Sequence, residues 1–207
     1  MTTAIVGLGN MGQGLARRLA GQTDLVLATR NEAEAASLAA SLPGSRAASV
    51  DAAIAAADVV ILAVGYDAAL ELAARPDLAG KVIVDITNPV TPDYSGLRLG
   101  HTTSAAEEIQ KVAPQAKVVK AFNTVFAQVL QADGKVAGQP ATVFVAGDDP
   151  QARATVVDLA AKAGFETIET GGLASARLLE PLGMLNITLG YGLGLGTSIA
   201  PTWLRDV

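Results

Sequence analysis

The residues whose types and spacing most clearly indicate a chemical role form a glycine-rich turn near the start of the chain. The apolar run Ala4–Val6 leads directly into Gly7–Gly12, whose letters GLGNMG have the spacing G-x-G-x-x-G. The first glycine of this motif permits a tight turn, the second lets the backbone approach a pyrophosphate, and the third lets a helix pack on a strand. An amphipathic helix follows, and its free N–H groups attract the anion. We therefore predict a dinucleotide site rather than an ordinary glycine-rich turn.

The end of the predicted second strand carries the residues that choose between the two nicotinamide dinucleotides. Leu25–Ala28 is followed by Thr29, Arg30 and Asn31. In such folds an acid at this point binds the ribose 2′-hydroxyl, whereas an arginine with small polar neighbours accommodates a 2′-phosphate. The acid is missing here, so we predict NADP rather than NAD. Two alternatives stay open: Arg30 is a solvated surface residue, and Asn31 is the N-cap of a helix that runs to Leu42.

Two further strands end in residues that can line a ligand. Asp58–Val64 leads to Gly65 and Tyr66, and Lys81–Ile86 leads to Thr87–Pro89. Because ligands of parallel α/β sheets lie outside the carboxyl ends of the strands, we expect these residues to line the cofactor. The alternatives are that Tyr66 only packs at the rim and that the second loop is a structural turn stiffened by its proline.

A later strand end offers polar side chains that do not titrate. Lys117–Phe122 is predicted as a strand, and it ends in Asn123 and Thr124. These two side chains can orient a bound ring without moving a proton, so we predict no catalytic acid or base among them. Lys120 is the nearest titratable group, and its role as an acid or base competes with the more common role of a lysine that pairs within a strand.

The composition argues against several classes of function. Half of the 207 residues are apolar, the net charge is −5, and acids and bases are spread along the chain, so neither a nucleic-acid-binding face nor a polybasic membrane anchor is indicated. With no cysteine and one histidine, His101, no metal site is predicted.

The start of the chain lacks a signal-peptide pattern, which favours a cytoplasmic protein. Polar residues and glycines interrupt the apolar stretch Leu182–Ala200, so we predict a helix buried in the core or a dimer interface rather than a membrane span.

Alternating strands and helices must position these residues. The alternation predicts an α/β fold of the Rossmann type, with a doubly wound, mostly parallel sheet and a small C-terminal helical segment. Capping residues mark two helices: Ser104 begins one that ends near Val112, and Asp149 begins one that ends at Ala163. We divide the chain into an NADP-binding Rossmann domain, residues 1–172, and a C-terminal helical segment, residues 173–207.

At these landmarks the chain resembles a known family, the NADPH-dependent reductases of the deazaflavin coenzyme F420, also called F420-dependent NADP oxidoreductases. The resemblance extends over nearly the whole chain and rests on Gly7–Gly12, Thr29–Arg30, Thr87–Pro89, Gly147–Asp149, Leu178–Leu182 and Leu185–Asn186. Lys120–Thr124 is also similar to the corresponding strand end in the oxidoreductase domain of the STEAP metalloreductases, which reduce a flavin with NADPH.

The resemblance implies a homodimer and direct hydride transfer between the nicotinamide and a stacked flavin-like ring, either F420 or FMN/FAD, as a small-molecule redox partner. It also implies that residues 173–207 complete the acceptor site and the dimer interface. The strand ends and the resemblance together give the residues expected to contact NADP(H): Gly7, Leu8, Gly9, Asn10, Met11, Gly12, Thr29, Arg30, Asn31, Val64, Gly65, Tyr66, Asn88, Pro89, Asn123 and Ala127. The residues expected beside the acceptor are Asn123, Val125 and Asn186.

Two positions depart from the pattern of the archaeal reductases, which have a histidine where this chain has Asn123 and an isoleucine where it has Val125. Asn123 agrees instead with the flavin-reducing relatives, so the acceptor is left open between F420 and FMN/FAD. Two other hypotheses are kept, since a fold does not fix a function: an imine or hydroxyacid reductase related to pyrroline-5-carboxylate reductase, and a non-enzymatic NADPH-sensing module.

Overall fold

An eight-stranded sheet organises the chain in the computed structural model, which describes residues 1–203. The strands, including a short separate hairpin of β7 and β8, are β1 (Thr2–Val6), β2 (Asp24–Ala28), β3 (Ser45–Ala47), β4 (Val59–Leu62), β5 (Val82–Asp85), β6 (Lys117–Lys120), β7 (Lys135–Val136), β8 (Gln139–Pro140), β9 (Thr142–Gly147) and β10 (Glu166–Glu169). The helices are α1 (Asn10–Leu19), α2 (Glu32–Ala40), α3 (Val50–Ala56), α4 (Tyr66–Ala73), α5 (Ala105–Val112), α6 (Ala127–Gln131), α7 (Pro150–Lys162) and α8 (Ala176–Ile187). Short 3-10 turns occupy Pro76–Leu78 and Leu173–Ser175.

The strands of the sheet follow the order β10-β9-β6-β5-β4-β1-β2-β3. All neighbouring strands are parallel except β6 and β9, which are antiparallel. Val6 pairs with Leu62, Leu62 with Asp85, and Asp85 with Lys120, so four strands end at the same level. The predicted mostly parallel Rossmann-type sheet is confirmed, and the strand ends meet at one edge, where ligands of this fold bind.

The strands are apolar on both sides because helices cover both faces of the sheet. Ile5 packs in one cluster with residues of α1, α2, α6 and α7. Its neighbour Ala4 packs in a second cluster with residues of α3, α4 and α5. A strand between two helical layers has no solvated face, which explains the continuous apolar runs in the sequence.

Three polar residues begin helices as the sequence predicts. The side chains of Asn31, Ser104 and Asp149 each accept a hydrogen bond from the backbone N–H three residues further on, at the starts of α2, α5 and α7. These contacts satisfy N–H groups that the helix itself leaves free.

The C-terminal segment differs from the predicted one. Helix α8 ends at Ile187, a π-helical turn covers Thr188–Gly192, and the chain then leaves helical structure. Gly194 and Gly196 have φ angles of +75° and +77°, a left-handed conformation that does not continue a helix. The prediction of a buried helix over Leu182–Ala200 is therefore wrong for its second half. Within residues 1–203, none of the helices combines the length and apolar character that a membrane crossing needs.

Candidate active site

The glycine-rich turn lies between β1 and α1, and its three glycines are required for different reasons. Gly7 has a φ of +98°, and a Cβ at Gly12 would overlap the Gly7 carbonyl oxygen. Both positions are thus fixed by the protein's own packing. Gly9 differs, because a Cβ there would have no heavy atom within 4 Å. The space above Gly9 is open and faces the start of α1, whose first N–H groups have no partner within the helix. An anion such as a pyrophosphate fits there.

A cavity of about 670 Å³ opens beside this turn, and we refer to it as the first cavity. It lies between the ends of β1, β2 and β4 and the start of α4. Seven of the residues expected to bind NADP(H) line it: Gly7, Leu8, Gly9, Thr29, Arg30, Val64 and Gly65. The sequence therefore identified one connected surface from segments that are far apart in the chain.

Arg30 is the cation in the first cavity that is available to a ligand. Its side chain is exposed, and it forms no ion pair with any residue in the described range 1–203. Arg75 also lines the cavity but is held by Asp51 at 2.7 Å and Asp77 at 2.8 Å. Hydrogen bonds to Asp77 and Asp51 raise the pKa of Arg75 above its ordinary value. A 2′-phosphate would therefore find its charge-assisted partner in Arg30.

Two smaller cavities extend the first one along the edge of the sheet. The middle cavity, of about 290 Å³, is lined by Gly9–Met11, Ala63–Tyr66 and Ile86–Asn88. The far cavity, of about 280 Å³, is lined by Asn10, Met11, Ile86, Asn88, Tyr94, Asn123, Thr124, Val125, Phe126, Ala127, Gly183, Asn186, Ile187 and Tyr191. The middle cavity shares wall residues with each of the others, so the three form one continuous cleft.

No Asp, Glu, Lys, Arg or His lines the middle or the far cavity within the part of the chain that the structure describes. The titratable group of the middle cavity is Tyr66. Arg98 lies over its ring at 5.4 Å and pairs with Asp67 at 2.8 Å. Burial, followed by the charge of Glu108, raises the pKa of the Tyr66 hydroxyl, and Arg98 opposes part of that shift. A tyrosine with a raised pKa stays neutral near pH 7 and binds by contact rather than by charge.

Asparagine side chains join the ends of β5 and β6 to α8. Asn123 Nδ2 donates to Asn88 Oδ1 at 2.9 Å and to the Leu179 carbonyl at 2.8 Å. Asn88 Nδ2 donates to the Asn123 carbonyl at 2.7 Å, and Asn186 Nδ2 donates to the Thr124 carbonyl at 3.0 Å. Three of the residues predicted to contact ligands thus also hold the wall of the far cavity together.

Three buried oxygens at this end have no hydrogen-bond partner in the described range 1–203. They are Thr87 Oγ1, Asn123 Oδ1 and Thr124 Oγ1. Buried polar atoms are nearly always paired in folded proteins, so unpaired ones at a cleft point to a ligand. All three can accept a hydrogen bond, and the carboxamide of a nicotinamide carries an NH₂ donor. The residues present therefore fit NADP(H) at both ends of the cleft.

A buried ionic cluster lies directly beneath these oxygens. Lys120 Nζ is 2.8 Å from Asp85 Oδ2, 2.8 Å from Glu180 Oε1 and 2.6 Å from the Thr87 carbonyl. All three side chains are essentially inaccessible to solvent. Glu180 also accepts hydrogen bonds from the backbone N–H groups of Ala105 and Ala106 at the start of α5. Burial raises the pKa of Glu180, and Lys120 opposes part of that shift.

This cluster decides the role of Lys120. The lysine lines none of the three cavities and is held by groups of the protein that connect β5, β6, α5 and α8, so it pairs within the protein and does not serve as an acid or base toward a ligand. Sequence reasoning named Lys120 but missed Asp85 and Glu180. A signal was present in Asp85, which is a charged residue at the end of the otherwise apolar strand β5.

Two glycines of the C-terminal segment were also missed. A Cβ at Gly183 would lie 2.7 Å from Asn88 Oδ1, and one at Gly190 would lie 2.7 Å from Phe126 Cζ. These glycines let α8 and the π-helical turn approach the strand ends. The need for glycine at these two positions depends on how α8 and the π-helical turn pack against the strand ends, and a single sequence does not show that packing.

Three of the residues predicted to bind NADP(H) lie outside the three cavities. Asn31 acts as the N-cap of α2, and Pro89 is buried in the loop after β5. Gly12 is buried beneath the turn, where its contribution is packing. Asn123, Val125 and Asn186, which were predicted to lie beside the acceptor, all line the far cavity, and so does Ala127, which was predicted to contact NADP(H).

Comparisons with known proteins agree with this geometry. A family described as coenzyme F420-dependent NADP oxidoreductases matches residues 2–89. The F420-dependent NADP reductase of Methanocaldococcus jannaschii is 32% identical over 208 residues, which cover 91% of this chain and 92% of that protein. Metalloreductase STEAP3 of Rattus norvegicus is 35% identical over 180 residues, and the match covers 86% of this chain but 35% of STEAP3.

A solved structure resembles the whole chain. The crystal structure of a protein from Arthrobacter sp. fb24, assigned as an F420-dependent NADP reductase, superposes with a TM-score of 0.86 at 31% identity and covers 99% of this chain and 100% of that one. The chain is an NADP-dependent oxidoreductase and belongs to the family of F420-dependent NADP oxidoreductases.

Proposed function

We propose that this oxidoreductase transfers a hydride directly between the nicotinamide of NADP(H) and a flavin-like ring held in the far cavity, with F420 or FMN/FAD as the acceptor. One observation carries the proposal. The middle and far cavities share Asn10, Met11, Ile86 and Asn88, and neither is lined by a charged side chain within residues 1–203. Such a site is suited to holding two rings together and offers no acid–base pair for proton transfer.

Each part of the cleft has a role in this reaction. Gly7–Gly12 and the start of α1 hold the pyrophosphate, and Thr29 with Arg30 holds the 2′-phosphate. The unpaired oxygens of Thr87, Asn123 and Thr124 would offer acceptors to the carboxamide, whose NH₂ group can donate to two of them and so orient the nicotinamide. Bound NADPH supplies the hydride. The reduced ring takes up one proton from solvent to complete the reaction.

Positioning supplies the rate acceleration in such a site. Holding two reactants at near-attack distance converts a bimolecular step into a unimolecular one and can contribute ~7–11 kcal/mol. The wall of this site includes Met11, Val125, Phe126 and Ile187, whose apolar side chains border the space for the rings. The asparagine pair and the ionic cluster beneath keep that wall in place.

Stopped-flow mixing of NADPH with F420, FMN and FAD tests the proposal. We expect NADPH oxidation with at least one of these acceptors and less with NADH. If none of them oxidises NADPH while a cyclic imine does, the imine reductase hypothesis replaces this one. If NADPH binds but no acceptor in the panel is reduced, the chain acts as a binding module.

We propose that the partner in solution is a second copy of this chain. Leu185, Leu193 and Leu195 are 53%, 69% and 62% exposed on and after α8. Large exposed apolar side chains that lie this near one another in the chain are typical of an interaction surface. Light scattering should give the mass of a homodimer, and Leu193→Lys with Leu195→Lys should shift it to that of a monomer. A monomeric parent protein would contradict the proposal.

A further inference from the structure

The far cavity differs from the first cavity in having no cation. Its wall contains no Lys, Arg or His among the described residues, whereas the first cavity has Arg30. The free N–H groups at the start of α1 are already engaged in the proposed pyrophosphate site. Because proteins recognise phosphates with arginine, lysine or clustered backbone N–H groups, the far cavity offers a phosphate no charge-assisted partner.

Aromatic side chains take the place of charge in this cavity. Phe126 and Tyr191 pack edge to face, with ring centroids 5.5 Å apart and an interplanar angle of 88°. Tyr94 lines the cavity from a separate loop and is 65% exposed. Flat rings are the ligands that such side chains bind best, because stacking needs a π-face and tolerates differences in substituents.

The loop that carries Tyr94 is ordered by its own hydrogen bonds. Val90 and Leu97 form a bridge, and the Tyr94 N–H donates to the Thr91 carbonyl at 2.9 Å. Asp93 Oδ1 accepts from the hydroxyls of Thr91 at 2.6 Å and Ser95 at 2.8 Å. Tyr94 itself has a φ of +57°. A non-glycine residue in this region is uncommon and is held there only by its surroundings.

We propose that the far cavity recognises its acceptor through the planar ring alone, that Tyr94 stacks on that ring, and that the phosphate-bearing tail stays outside. This inference rests on the proposed function, because it assumes a flavin-like acceptor. The inference predicts that riboflavin, which has the ring without the phosphate, is as good a substrate as FMN.

The first experiment compares riboflavin with FMN under steady-state conditions with saturating NADPH. A charge-assisted contact to the phosphate would favour FMN by about tenfold or more in KM. We expect the two KM values to agree within about threefold and to stay constant as salt is raised, since no ion pair is screened. A KM for FMN that is more than about tenfold lower and rises with salt would overturn the inference.

The second experiment tests Tyr94 with two variants. Tyr94→Ala should raise the KM for riboflavin about tenfold, as expected from the loss of one stacked ring, and Tyr94→Phe should retain the parent value. The KM for NADPH should not change in either variant. The control is Trp203→Ala, which removes an aromatic of similar exposure, 61%, that packs on Phe144 outside the cleft.

Quenching of riboflavin fluorescence by the NADP⁺-loaded protein gives a readout independent of turnover. We expect quenching in the parent protein and in Trp203→Ala and a large loss of it in Tyr94→Ala. Equal affinities in the parent and Tyr94→Ala proteins would overturn the role of Tyr94. If the parent oxidises NADPH with none of riboflavin, FMN, FAD and F420, the proposed function has failed. Turnover with FMN or FAD but not riboflavin, or with F420 but not with the same deazaflavin ring lacking the phosphate-bearing tail, refutes this inference alone.

Discussion

The two ends of the cleft are built in different ways. The glycine-rich turn is one continuous stretch, Gly7–Gly12, whose shape follows from the conformational freedom of its own glycines. The far cavity is assembled from β5, β6, α8 and the Tyr94 loop, and is held by Asn88, Asn123 and the ionic cluster around Lys120. One end is therefore encoded locally, and the other depends on contacts between residues more than 30 positions apart in the chain, such as Asn88 with Asn123 and Lys120 with Glu180.

The strongest test of this difference is Lys120→Met, which removes the shared cation of the far end. Asp85 and Glu180 would remain buried without a cationic partner, and breaking a buried ion pair costs about 3–5 kcal/mol. We expect a loss of that size in the free energy of urea unfolding. The control is Lys117→Met, since Lys117 pairs with Asp149 at the surface at 3.1 Å and such pairs contribute about 0–1 kcal/mol. Equal losses in the two variants would show that the buried cluster is not a special feature of this end.

At the local end, two glycines of one motif should respond in opposite ways. Gly12→Ala places a Cβ against the Gly7 carbonyl and should lower stability by about 1–3 kcal/mol. Gly9→Val should leave the free energy of unfolding within about 0.5 kcal/mol of the parent, because its side chain enters open space. That same side chain should abolish binding of both NADPH and NADH. Thermal unfolding and calorimetric titration check the pair, and NADPH binding by Gly9→Val would refute the assignment of the open space to the pyrophosphate.

Arg30→Asp tests the choice between NADPH and NADH without changing the residues that line the far cavity. It removes a charge-assisted contact of about 1.5–3 kcal/mol to the 2′-phosphate and adds repulsion, so NADPH affinity should fall at least about tenfold. NADH affinity should change far less, because NADH has a hydroxyl at that position. The KM for the acceptor should stay at the parent value, since Arg30 is absent from the far cavity. Equal losses for NADPH and NADH would contradict the role of Arg30.

The smallest expected effect comes from Gly183→Ala at the far end. Its Cβ would lie 2.7 Å from the Asn88 side-chain oxygen, so α8 or Asn88 must shift slightly. We expect about 1 kcal/mol of destabilisation, at the low end for an overpacked site, because the nearest atoms belong to one side-chain amide, whose hydrogen bonds to Asn123 must lengthen. The acceptor KM should rise while the NADPH KM stays constant. The matched control is Gly192→Ala, where a Cβ would meet only a Thr188 methyl at 3.8 Å; an equal KM change in both variants would argue against a specific role for Gly183.

The sequence predictions succeeded for features that depend on nearby residues and were less complete for features that depend on distant contacts. Alternating apolar runs, helix caps at Asn31, Ser104 and Asp149, and the glycine spacing depend on neighbours within a few residues, and they predicted the sheet and the turn between β1 and α1 correctly. The extent of the C-terminal helix was wrong because apolar content does not reveal where Gly194 takes a left-handed conformation.

The sequence by itself determined the Rossmann-type sheet, the dinucleotide turn and the position of Arg30 at the end of β2. Each depends on local backbone preferences and on a rule that parallel strand ends meet at one edge. Only the tertiary structure decided that Lys120 is a buried partner of Asp85 and Glu180, that Asn123 holds α8, and that Tyr94 lines the far cavity. The physical reason is that the role of a charge or an aromatic ring is set by what packs against it, and in this fold those neighbours come from distant segments of the chain.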